Sequence, residues 1–125
     1  MFNELPQILL NSISQPIFQD SGVLQLDTVN KIIAILDIKF LSEQDKLTAE
    51  SVWLANAQNF KLTPAEIVSA YQMAINYQLR NPKGEVIRVF PNLSVITQGE
   101  ILHSYELYKR NDIKYQEARE NLLKQ

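Results

Sequence analysis

The chain has 125 residues, 46% of them hydrophobic and 21% charged, so it is long enough for one compact core and too short for two. Fourteen acidic side chains stand against twelve basic ones, a net charge of −2, which gives no overall positive field to attract nucleic acid. The absence of cysteine removes disulfides, thiolate zinc sites and cysteine nucleophiles; one histidine excludes paired-histidine metal motifs; and Gly22, Gly84 and Gly99 lie too far apart to cradle a phosphate.

The first ten residues carry Glu4 and Pro6 but no Lys or Arg, unlike a secretory signal, so a cytoplasmic protein is expected. The longest apolar stretch, residues 32–36, is far below the roughly 20 residues that cross a bilayer, and no membrane partner is expected. Within residues 2–13, Leu5, Leu9 and Ile13 form one stripe of a short helix that ends at Ser14-Gln15-Pro16. Residues 17–25 contain Asp20-Ser21-Gly22 and read as a loop. Asp27 is placed to cap a helix over 28–38, with Val29, Ile32, Ile33 and Leu36 on its apolar face.

Ser42, with Asp45 three residues on, marks the start of a third helix over 43–58, whose inward side is read as Ala49, Val52, Trp53 and Ala57. Trp53, the single tryptophan, is expected to anchor the core. The clearest local signal is Thr63-Pro64-Ala65-Glu66: a threonine cap, a proline at the first helical position where its missing N–H costs nothing, and a glutamate reaching back. A fourth helix therefore starts at Pro64 and carries Ile67, Ala70, Tyr71, Ala74, Ile75 and Leu79 (or Gln78) on one stripe until Asn81-Pro82-Lys83-Gly84 breaks it. Residues 85–90, Glu-Val-Ile-Arg-Val-Phe, are β-prone but have no second run to pair with, so they read equally as a short strand or as an irregular connection. From a cap at Ser94, a long C-terminal helix carries Ile101, Tyr108, Tyr115 and Leu122 at intervals of seven; Asn111-Asp112 is the point of interruption, and residues 113–125 are charged enough to project from the domain. These elements amount to a single all-α domain of about five helices.

Nothing in this pattern assembles a reaction centre. His103 has Ser104 beside it and Glu100 at a spacing of three, but adjacent helical residues point apart and no triad forms, so the chain is read as not an enzyme and no cofactor or metal is expected. Binding residues are easier to nominate. The first 60 residues hold 3 basic and 7 acidic groups and the remainder 9 and 7. Arg80, Lys83 and Arg88 cluster before the last helix, and Lys109, Arg110, Lys114 and Arg119 lie along it interleaved with Tyr108 and Tyr115. Basic groups interleaved with aromatics suit single-stranded DNA, while the interspersed Glu106, Asp112, Glu117 and Glu120 give the ordinary face of a soluble helix. Tyrosine also suits a protein interface; of the five, Tyr71 and Tyr105 read equally as core residues. The candidate partner-binding set is Arg80, Lys83, Arg88, Phe90, Tyr108, Lys109, Arg110 and Tyr115.

The order Trp53-Leu54, then Leu62-Thr63-Pro64-Ala65-Glu66-Ile67, then Val89-Phe90-Pro91-Asn92-Leu93, then Leu102 through Arg110 resembles small all-helical replication proteins of phages and mobile elements, of the helicase-loader or helicase-inhibitor type. The resemblance covers under half the chain, and without a nucleotide-binding loop it does not extend to the ATPase loaders. It implies a non-enzymatic adaptor that binds a replicative helicase, with an origin protein or single-stranded DNA as a second partner. The alternative is a self-associating structural or assembly protein that packs its C-terminal stripe against a second copy.

Overall fold

The computed structural model describes Ile17 and residues 22–123, with side chains for all of these except 22–24 and 113–116. Five helices follow one another: α1 (Gly22–Leu36), α2 (Glu43–Ala57), α3 (Pro64–Ile75), α4 (Val95–Asn111) and α5 (Ile113–Leu123). The single all-α domain expected from the sequence is observed. α1 packs on α2 and α3, α4 closes the ring against the same two helices, and α5 rests chiefly on α4. The helix read at residues 2–13 and its stop at 14–16 lie outside the described residues.

Local chemistry explains most boundaries. The Ser42 side chain accepts from the Asp45 amide at 3.1 Å, opening α2. At the head of α3 both halves of a capping box form: Thr63 Oγ1 accepts from the Glu66 amide at 3.1 Å, and Glu66 Oε1 accepts from the Thr63 amide at 3.0 Å. Ser94 caps α4 through the Thr97 amide. Asp112, in extended conformation, separates α4 from α5, so the long C-terminal helix is two helices.

Three expectations are corrected. α1 begins at Gly22 rather than near residue 28, and Asp27 is not its cap; it lies within the helix, where its carboxylate pairs with Lys31 one turn on at 3.2 Å. The inward side of α2 runs through Glu50, Trp53 and Ala57, while Val52 is half exposed. α3 stops at Ile75, before Asn81-Pro82, because Tyr77 turns into the left-handed region; Leu79 reaches the core after a chain reversal, not by helical spacing. Of the two readings open for residues 85–90, the irregular connection is the one observed: among the described residues their ladder is a single antiparallel bridge between Arg80 and Val86.

The core is centred on Trp53, whose indole N–H donates to the Tyr71 hydroxyl at 3.0 Å across rings tilted by 53°. Gln98, fully buried on α4, donates to the Trp53 carbonyl at 2.9 Å and accepts from the Asn56 side chain, so its amide joins α2 to α4. Tyr105 is also buried, with Ile101 and Leu102. The inward face of α4 therefore repeats at helical spacing (98, 101, 102, 105), and the seven-residue series drifts outward until Tyr108 is 38% exposed.

Candidate functional site

The ends of α1 and α3 and the connection to α4 enclose an open groove of about 560 Å³, within the size range of ligand pockets. Its walls are Ile35 and Leu36 of α1, Ala74 and Ile75 of α3, and the run from Val86 to Pro91, with Tyr77 at the lip. Both helices stop here in the same way. The Ile38 amide donates to the Ile33 carbonyl and the Asp37 amide to Ala34; likewise Gln78 donates to Met73 and Tyr77 to Ala74. These are Schellman turns, which place one residue in the left-handed region, a position usually given to glycine. Here the residues are Asp37 (φ 53°) and Tyr77 (φ 58°). Asp tolerates that conformation through its short polar side chain, whereas tyrosine does so at a cost. Tyr77 bears the strain and is nonetheless 70% exposed, so burial does not account for its being there. Strained backbone of this kind concentrates at functional sites.

Around the groove, Phe90 is 54% exposed and Val86 is also exposed, and Arg88 is the one charged residue in the lining. Asp37, at the edge, already pairs with Lys39 at 3.2 Å. The groove is therefore apolar with an aromatic lip and a single cation. Asn81 shapes the reversal beside it by accepting from the Lys83 and Glu85 amides, and Gly84, at φ 82°, closes the turn.

The nominated residues are not one cluster. Arg88 and Phe90 line this groove, and Lys83 is exposed on the reversal. Arg80 and Tyr108 line a second opening of about 330 Å³, floored by Leu79, Ser104 and Leu107. The Tyr108 hydroxyl bonds to Asp112; partial burial first, and then that carboxylate, raise its pKa above the ordinary phenol value. Arg110 is exposed on α4. Lys109 is turned inward: its ammonium meets Glu66 Oε2 at 2.7 Å, with the glutamate 1% exposed. Tyr115 lies on α5 among the residues whose side chains are not described. Sequence reasoning did not nominate Tyr77, Ile35 or Leu36 for the binding surface. A signal for Tyr77 was available, since it falls off the apolar stripe of α3, but the helix end that exposes it was placed several residues late.

His103 is exposed, and Ser104 beside it is buried on the other side of α4, so the two do not face one another. Among the described residues, no three His, Asp or Glu side chains are grouped to hold a metal ion. No described helix is long and apolar enough to cross a membrane. Compared with protein-family models, curated proteins and solved structures, the chain matches none.

Proposed function

We propose that this protein is a non-enzymatic binding adaptor whose docking surface is the groove between α1, α3 and the α3–α4 connection. The observation that carries the reading is Tyr77: an aromatic side chain held in a costly backbone conformation and left 70% exposed at the lip of an apolar groove. Exposed aromatic anchors beside a concave apolar surface are the usual source of binding energy at protein interfaces, and flanking charges mainly govern encounter and selectivity. Arg80, Lys83 and Arg88 against Glu85 make the connection net basic, which favours a partner segment carrying carboxylates.

The test selects binders from a display library of random peptides on the whole chain and screens them against Tyr77→Gly. Glycine relieves the left-handed strain, so this variant unfolds at the same or a higher temperature than the wild type while lacking the aromatic lip. The expected result is peptides whose affinity falls about tenfold or more in Tyr77→Gly, a loss of about 1.4 kcal/mol. A library that yields no Tyr77-dependent binder overturns the reading.

A role in phage or mobile-element replication, by loading or inhibiting a replicative helicase in the cytoplasm, is supported by the resemblance alone. Direct binding to a helicase hexamer, with the same Tyr77 dependence, is its test. Contact with single-stranded DNA requires a salt-dependent mobility shift that disappears when Arg80, Lys83 and Arg88 are replaced by Ala. A second reading, self-assembly through the C-terminal helix, is favoured by Leu122 and Leu123, which are 43% and 74% exposed on α5.

A further inference from the structure

Residues 86–90 alternate in burial as an extended chain does, and among the described residues their one ladder neighbour is Arg80, bridged to Val86. Ile87 is buried and Val89 packs against the core, whereas Val86, Arg88 and Phe90 are exposed, which is the two-residue alternation of an extended chain. The bond from the Asn81 amide to the Glu85 carbonyl sets the parity of the backbone. Groups of alternate residues point to opposite edges, so Glu85 faces the 79–81 segment and Val86 and Arg88 turn their N–H and C=O to the outer edge. Neither Arg88 nor Val89 makes a backbone hydrogen bond to the rest of the described protein. Past Phe90 the edge is closed, because Pro91 has no N–H and the Phe90 carbonyl is taken by the Asn92 amide at 2.8 Å. Among the described residues the outer edge at Val86 and Arg88 is thus unpaired, short, bounded by Pro91 and set along an apolar groove.

We propose that the adaptor surface takes its partner by strand addition: an extended segment of another protein pairs with the outer edge at Val86 and Arg88, lays apolar side chains into the groove, and sets a carboxylate against Arg88. The proposal rests on the docking reading above and names the partner's conformation and charge. An extended occupant satisfies the open backbone groups, which a helix, with its own amides already bonded, does not. Among the described residues Arg88 has no ion-pair partner and no acidic residue lines the groove, so the complementary charge comes from the occupant.

The experiment uses the strongest Tyr77-dependent library peptide, remade with N-methyl groups at alternate backbone amides in both registers, and follows the amide resonances of the whole protein. Strand addition predicts that methylation in one register weakens binding about tenfold or more while the other register is tolerated, since only one edge of the peptide is bonded. It predicts slowed hydrogen exchange at the Arg88 amide, and a switch in preference from Glu-bearing to Lys-bearing peptides in Arg88→Glu. A peptide that binds as a helix, or that tolerates methylation in both registers, overturns strand addition and leaves the adaptor reading standing. Concentration-dependent protection of the same amides without peptide identifies a second copy of the chain as the occupant and also overturns it.

Discussion

Glu66 and Lys109 show how one side chain serves two ends of the fold. Oε1 of the carboxylate closes the α3 capping box and Oε2 meets Lys109 near the end of α4, so the start of one helix is tied to the last turn of another. Removing the cation leaves a carboxylate that is 1% exposed without its counter-charge. Lys109→Met is therefore expected to cost about 3–5 kcal/mol in urea unfolding, and the added change Glu66→Gln to recover a substantial part of that loss. A second expectation concerns alkali. Burial holds the Tyr71 phenol far above its ordinary value of 10.0, with the Trp53 N–H bond opposing in part. A raised folded-state pKa means that the native form keeps the proton more tightly than the unfolded chain. That stability is complete below about pH 10 and is lost as the pH climbs toward the folded value. Phenolate absorbance during alkaline titration should show Tyr71 ionising together with unfolding, and Tyr71→Phe should unfold at higher pH relative to its own neutral-pH stability.

The helices were readable where their boundaries are written in short-range chemistry. Ser42, Thr63-Pro64-Ala65-Glu66 and Ser94 each satisfy amides within three residues, and α2, α3 and α4 start where those signals stand. Thr63→Ala should cost about 1 kcal/mol in chemical denaturation, because it leaves the first turn of α3 short of an acceptor at a buried position. The helix ends were less legible. A glycine after α1 or α3 would have announced a Schellman turn, but Asp37 and Tyr77 occupy those positions. Gly84→Ala should also destabilise by about 1 kcal/mol, and by backbone strain alone, since nothing lies within 4 Å of an added Cβ. The β-prone run was recognised in the sequence together with its want of a partner, and its single bridge to Arg80 leaves that want in place.

The ring of α1–α4 leaves α5 resting chiefly on one neighbour, with Glu117 and residues 119–123 exposed. If α5 is not an assembly element, replacing Leu122 and Leu123 by Ala changes unfolding free energy by less than about 0.5 kcal/mol, as expected of exposed positions. Light scattering should then give a monomer at low micromolar concentration before and after the change. A stable oligomer that these replacements dissolve would favour self-assembly instead.

Composition, apolar spacing and caps were sufficient for an all-α domain anchored on Trp53, because those signals act within a few residues of one another and survive in a linear reading. The groove was not legible in that way. It depends on two left-handed helix ends, 40 residues apart in the chain, arriving beside one β-prone connection. Likewise the inward turn of Lys109, nominated as a surface contact, follows from where α3 places Glu66. Spacing along a chain specifies which residues share a helical face, but only the packing of helices fixes which of those faces is covered and which is left open.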